Sequence, residues 1–132
     1  MSAKSIAEKL LIKPNTTVWI SHAEHLGRVE PLPAGVRVVE GMEQAAVALV
    51  FAGAAAAARE ILTAHKDQLA RPAVFWVVYP KGNKADINRD TLWPILAEYG
   101  MRPIGQVAVD EVWSALRFRP LREGETPFSG GQ

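Results

Sequence analysis

Two unbroken apolar runs constrain the fold of this 132-residue chain more than any other feature. They are Val47 to Phe51 (VALVF) and Val74 to Tyr79 (VFWVVY). Such runs are typical of parallel strands that are buried on both faces of a sheet. Between them lies an alanine-rich stretch, Gly53 to Ala70, with apolar residues at helical spacing. A strand, a helix and a second strand predict a right-handed parallel crossover, so both strands should be central in the sheet.

The rest of the chain adds four shorter strands to these two. They are predicted at 16–20, 36–39, 104–109 and 113–118. Only two or three residues separate the last two strands, which is too few for a crossover, so they should form an antiparallel hairpin. The sequence therefore predicts an α/β, Rossmann-like mixed sheet of about six strands, four parallel plus a C-terminal antiparallel hairpin. Residues 1–120 should form one domain, and the Gly-, Glu- and Ser-rich tail 121–132 is predicted to be disordered.

The helices are marked by caps and breakers. Ser5 and Glu8 have the spacing of a capping box, and Pro14 should end the helix that they begin. A later helix should end at Gly100. Because it contains Pro94, which is tolerated best in a first turn, we expect its cap near Asp90 or Thr91.

Two segments in the second half of the chain carry a family resemblance. They read W-V-V-Y-P-K-G-N-K-A-D-I-N-R-D-T-L-W from Trp76 and Q-V-A-V-D-E-V-W-S-A-L-R-F-R-P from Gln106. Over roughly residues 5–120 the chain resembles a mainly actinobacterial family of small Rossmann-like proteins known as a domain of unknown function. The resemblance implies the fold and no activity.

The predicted topology is also similar to that of class I methyltransferases, with one edge strand missing. Those enzymes bind their cofactor at a glycine-rich turn after the first strand. Here that turn carries the bulky residues His22, Glu24 and His25, and the second strand has only the nearby Glu40 as an acidic residue at its end. We therefore expect no cofactor, and in particular neither S-adenosylmethionine nor a nicotinamide dinucleotide.

Composition excludes several classes of function. The chain has no cysteine, which removes disulfides, thiolate metal sites and a cysteine nucleophile. Its net charge of +1 provides no strong field for nucleic acid or anionic lipid. No apolar run approaches the roughly 18 residues that span a membrane, and the N-terminus lacks the layout of a secretion signal. We expect a cytoplasmic protein without nucleic-acid or membrane partners.

The loop from Pro80 to Asp90 is the candidate ligand site, because ligands of open parallel sheets lie beyond the carboxyl ends of the strands. It concentrates positive charge near the start of a helix, which favours a phosphate or carboxylate. The candidate ligand-binding residues are Tyr79, Lys81, Lys84, Arg89 and Trp93. The alternative is a structural loop whose charges face water and whose Asp and Asn residues cap helices.

No catalytic or metal-binding residue is predicted. His22 and His25 are spaced to share a metal, but the sequence offers no third ligand. Ser114 lacks the surroundings of a nucleophile. Arg117 and Arg119 form a polar face on the last strand, and a solvated edge, a homodimer contact or an acidic partner would each explain them.

Three functions remain open. The sequence favours a non-catalytic binding or regulatory module for a small anionic metabolite or a protein partner. The second alternative is an enzyme that acts on a phosphorylated or carboxylated metabolite, with Lys81, Asp86 and Asp90 as acid–base groups. The third is a structural subunit of a homo- or hetero-oligomer. The missing nucleophile motif, phosphate loop and cofactor fingerprint favour the first and third over an enzyme.

Overall fold

The computed structural model describes residues 5–81, 86–121 and 124, which contain one six-stranded sheet. Its strands are β1 (Thr17–Ile20), β2 (Arg37–Val38), β3 (Val47–Phe51), β4 (Val74–Pro80), β5 (Met101–Ala108) and β6 (Trp113–Pro120). The α-helices are α1 (Ile6–Lys9), α2 (Ala55–Ala64) and α3 (Arg89–Ala97), and two 3-10 helices span Ala23–Arg28 and Met42–Gln44. None of the helices in these described ranges is long and apolar enough to cross a membrane.

The strand order β2-β1-β3-β4-β6-β5 confirms the predicted topology. Strands β1 to β4 are parallel, and β3 pairs with β4 from Val47↔Val74 to Phe51↔Val78. Strand β6 lies antiparallel between β4 and β5. The two apolar runs are therefore the central parallel strands, and the C-terminal hairpin closes one side of the sheet.

Alternate residues of the central strands enter two separate cores, as the period of two in a strand requires. On one face, Ala48 and Val50 of β3 join a cluster with α2 and α3. On the other face, Val47 and Leu49 join a cluster with α1 and the first 3-10 helix. We call these the α2–α3 face and the α1 face. Cover on both sides is the reason that β3 is buried along its whole length.

The first helix begins as predicted and ends earlier than predicted. Ser5 Oγ accepts from the Glu8 amide at 3.1 Å, and Glu8 Oε1 accepts from the Ser5 amide at 3.0 Å. The helix ends at Lys9, well before Pro14, because Leu11 adopts a left-handed conformation (φ 65°). The Leu11 amide then donates a hydrogen bond to Glu8 O, and the Ile12 amide donates one to Ala7 O. These two bonds end the helix in a Schellman motif.

The predicted cap of α3 was misplaced by two to three residues. Asn88 is the N-cap, and its Oδ1 accepts from the amides of Asp90 (2.8 Å) and Thr91 (3.1 Å). Pro94 therefore lies inside the helix rather than in its first turn. The hydrogen bonds that the Asn88 side chain accepts determine where the helix begins. Pro94 lacks a backbone N–H, but the loss of this one hydrogen bond does not shift the start of the helix.

Two further bounds differ from the predictions. Helix α2 ends at Ala64, and the segment up to Ala70 continues as successive turns that bring Leu69 into the core. Strand β5 begins at Met101, three residues before the predicted start, because β6 continues to Pro120 and pairs with it there. Pro103 is compatible with β5 because this strand forms an edge of the sheet.

Candidate functional site

The carboxyl ends of β1 and β3 meet where the strand order changes direction, the position at which open α/β sheets hold ligands. Ser21 bridges this crevice. Its amide donates to Leu49 O (2.9 Å), and its Oγ accepts from the Phe51 amide (2.8 Å). The same hydroxyl lies 2.8 Å from His22 Nδ1. Ser21 and His22 thus stand where a dinucleotide-binding sheet would carry a glycine-rich turn.

A polar and aromatic group, which we call the edge cluster, lies beside this crevice and comprises His25, Arg28, Phe51, Asp110 and Trp113. The His25 ring stacks on Phe51 with centroids 4.7 Å apart and lies 5.1 Å from the Trp113 ring. Arg28 Nε donates to His25 Nδ1 at 3.0 Å, and its Nη1 lies 3.3 Å from Asp110 Oδ2. The Arg28 guanidinium also lies 5.5 Å from the centre of the Trp113 ring. The cluster thus joins the turn after β1 to the β5–β6 turn.

His25 and Asp110, which both contact Arg28 in the edge cluster, have shifted pKa values. Burial lowers the pKa of His25 below its ordinary value of 6.5, and the charge of Arg28 lowers it further, so the ring is neutral at pH 7. Burial opposes ionisation of Asp110, but hydrogen bonds from the amides of Trp113 and Val112 and from Arg28 outweigh it and lower the pKa of Asp110. The cluster therefore holds a neutral imidazole between aromatic rings and a fixed Arg–Asp ion pair.

The two histidines of the turn use one nitrogen each within the protein. His22 Nδ1 contacts Ser21, and His25 Nδ1 accepts from Arg28. Their ring centroids are 6.1 Å apart. Within the ranges that the structure describes, no three His, Cys, Asp or Glu side chains form a group that could hold a metal ion.

An acidic residue follows β2 and a glycine follows β3 at the same edge of the sheet. Glu40 follows β2, is exposed, and accepts from Trp19 Nε1 through its carbonyl at 3.1 Å. Gly53 follows β3, and a Cβ added there would meet no atom within 4 Å. Glu40 thus lies two residues after β2, near the position at which dinucleotide-binding sheets place an acidic residue.

The predicted ligand residues of the Pro80–Asp90 loop have different surroundings. Tyr79 is 4% exposed in the α2–α3 core, and its hydroxyl accepts from Gln106 Nε2 at 2.9 Å. Lys81 is partly exposed and its amide donates to Val112 O at 2.8 Å, whereas Trp93 packs against the α2–α3 core. Arg89 begins α3, but its side chain and the whole of Lys84 lie outside the described residues. Their common role in binding a ligand stays a prediction.

Polar side chains of this loop cap both neighbouring helices. Asp86 Oδ1 accepts from the Ala55 amide in the first turn of α2 at 2.8 Å, and Asn88 caps α3. Asp86, a candidate acid–base group, therefore bonds one of the N–H groups that would otherwise attract an anion.

Sequence reasoning missed the pairing of Arg28 with Asp110, which are 82 residues apart. A signal was nonetheless present. The turn after a parallel strand and the turn that precedes an antiparallel neighbour must lie at the same edge of the sheet. The predicted topology therefore brought the two turns to one edge, but not the two side chains into contact.

Comparison with known proteins identifies the fold. No family model and no curated protein matches the chain, so its membership of the actinobacterial family stays a prediction. Among solved structures, it is similar to a protein of the NADB-Rossmann superfamily from Streptococcus agalactiae, with 9% identity and a TM-score of 0.58 over 98% of this chain and 72% of that one. It is also similar to the B. subtilis m1A22 tRNA methyltransferase TrmK, with 14% identity and a TM-score of 0.52 over 92% of this chain and 68% of that one.

A third similar structure is a Streptococcus pneumoniae protein, Sp1610, provisionally assigned as a tRNA (m1A22) methyltransferase. It has 13% identity and a TM-score of 0.56 over 94% of this chain and 70% of that one. Identities this low establish shared architecture and no shared activity. The chain has a Rossmann-like mixed α/β fold of the kind found in methyltransferases.

Proposed function

We propose that this chain is a binding domain built on a methyltransferase-like sheet, which binds a small anionic metabolite at the carboxyl edge and does not transfer methyl groups. The observation that carries the proposal is the turn after β1. Ser21 bonds to the Phe51 amide across the crevice and contacts His22, and His25 is stacked on the end of β3. A cofactor turn needs bare backbone there, and this turn carries side chains instead.

Positive charge around one turn supports an anionic ligand. Arg28 bonds to Asp110 in the β5–β6 turn, and the Lys81 amide bonds to Val112 in the same turn. The two cationic residues are thus anchored to one short segment at the edge where ligands of such sheets lie. Asp110 balances the charge of Arg28, so Lys81 supplies the net positive charge that attracts an anion, from a backbone that is already held.

The test compares two charge-removing double variants. Lys81→Ala with Arg89→Ala removes two cations from the carboxyl edge, and Lys66→Ala with Arg71→Ala removes two exposed cations that follow α2. We expect at least one phosphorylated or carboxylated metabolite to raise the thermal midpoint of the unmodified protein and of the Lys66/Arg71 variant, but not of the Lys81/Arg89 variant. If no metabolite shifts the unmodified protein, or if both variants respond alike, the proposed site is wrong.

A second candidate function is acid–base catalysis at the same edge. It is favoured by the neutral, partly buried imidazole of His25, whose lowered pKa suits a general base once an anionic substrate draws Arg28 away from Nδ1. The similarity to tRNA methyltransferases also supports a catalytic role for the fold. Turnover of a metabolite that binds, lost in His25→Gln while binding is kept, would support the enzyme over the binding domain.

A further inference from the structure

The edge of the sheet opposite the proposed site holds a cavity of about 320 Å³. Three of its residues, Thr16, Ala46 and Ala73, immediately precede β1, β3 and β4, so the cavity lies at the amino ends of the strands. Its volume is near the lower limit of small-molecule pockets. The cavity is therefore separate from the carboxyl edge and needs its own explanation.

Arg117 of β6 brings to this cavity a buried hydrogen-bond donor without a partner in the described ranges. It pairs with Trp76 of β4 and with Gly105 of β5, and paired residues point to the same face, so Arg117 lies on the α1 face with Trp76. Its Nε is buried and has no hydrogen-bond partner among the residues that the structure describes. A buried guanidinium donor without a partner is unfavourable, and an oxyanion would satisfy it.

A second cation and apolar walls complete the cavity. Lys13 lines it, and the Lys13 carbonyl accepts from Thr16 Oγ1 at 2.6 Å, which holds this segment in place. Leu11, Val47 and Val74 provide apolar surface. The part of the lining that the structure describes includes no acidic side chain that could neutralise the two cations.

We propose that this cavity binds a small amphiphilic acid, with the carboxylate or phosphate group between Lys13 and Arg117 and a short apolar body against Leu11, Val47 and Val74. The two cations favour a negatively charged headgroup, and the three apolar side chains favour an apolar body for the rest of the ligand. The site lies at the opposite edge from the one proposed above and does not depend on it.

Calorimetry on the full chain provides the test, with hexanoate, hexyl phosphate, hexanol and inorganic phosphate as probes. We expect at least one of the two amphiphilic acids to bind about tenfold or more tightly than hexanol and than inorganic phosphate, because the site needs both charge and apolar body. The tighter of the two acids identifies the headgroup. Amide shifts at Thr16, Ala46 and Val74 should accompany binding.

Matched variants locate the site. Arg117→Met and Lys13→Met keep the apolar stems and should each weaken binding by about tenfold. Arg37→Met and Lys66→Met remove exposed charges outside the cavity and should change affinity by less than about twofold. If Arg117→Met does not fold, Arg117→Lys, which keeps the charge but loses the guanidinium geometry, replaces it and should still bind more weakly.

Three results would overturn the proposal: no probe binds, hexanol or inorganic phosphate binds as tightly as the acids, or loss of Lys13 and Arg117 leaves affinity unchanged. The Lys81/Arg89 double variant should bind the acid as the unmodified chain does. A failure of the carboxyl-edge proposal is thereby distinguished from a failure of this one.

Discussion

Among the glycines that the structure describes, Gly35 is the one at which an added methyl group should destabilise the fold most. Its backbone is left-handed (φ 78°), and a Cβ there would overlap the Asn15 side chain. Asn15 is held against the same loop by a bond from its amide to Ala34 O (2.9 Å). Backbone conformation and contact therefore both exclude a side chain at this residue.

We expect Gly35→Ala to lower the free energy of unfolding by about 1–3 kcal/mol, measured by urea denaturation. Gly53→Ala is the matched control, because Gly53 has no positive φ and open space around it. That change should leave stability unaltered or raise it by up to about 1 kcal/mol. Equal losses at the two positions would contradict the described loop geometry.

His25 makes stability depend on pH in a defined direction. Its pKa is lower in the folded state than the ordinary 6.5, so the unfolded chain binds more protons as the pH falls. The stability contributed by the neutral ring is fully present above about pH 6.5 and is lost as the pH falls towards the folded-state pKa. His25→Gln has no such titration.

The measurement is denaturant unfolding of both proteins between pH 5 and pH 8. We expect the stability difference between the unmodified protein and His25→Gln to shrink as the pH is lowered. The comparison cancels the contributions of the other two histidines. A difference that is constant or grows with acid would show that His25 is not buried as described.

At the scale of the element, the predicted boundaries were right where burial determines them. They were wrong where local hydrogen bonds determine where a helix begins or ends. Strands β3 and β4 were found almost to the residue, because cover on both faces requires an apolar residue at every position. The end of α2 was placed too late, because its helical spacing continues to Leu69 although the backbone does not. The start of α3 was misplaced because Pro94 was assigned to the first turn, whereas Asn88 begins the helix two to three residues earlier.

The cap of α3 can be tested by two substitutions. Asn88→Ala removes the acceptor of two amides and should cost about 0.5–2 kcal/mol. Asp90→Ala removes a favourable charge in the first turn but not the N-cap, and should cost less, about 0.3–1 kcal/mol. Thermal or urea unfolding measures both. A larger loss from Asp90→Ala would restore the cap that the sequence alone predicted.

At the scale of the whole molecule, the sequence predicted which edge of the sheet to inspect but not how its side chains are arranged. Tyr79 lies near the end of β4, and its ring faces the α2–α3 core, on the same face as Phe75 and Val77. The edge cluster requires Arg28 and Asp110 to meet across 82 residues. Such contacts depend on how loops pack, and no local propensity encodes them.

The central claim is that side chains of the turn after β1 take the space of a methyl donor. Calorimetric titration of the full chain with S-adenosylmethionine and S-adenosylhomocysteine tests it most directly. We expect no saturable heat with either compound, because the turn carries Ser21, bonded to Phe51, and His22 in place of bare glycine backbone. A micromolar dissociation constant for either compound would contradict the claim and restore a methyltransferase function to this fold.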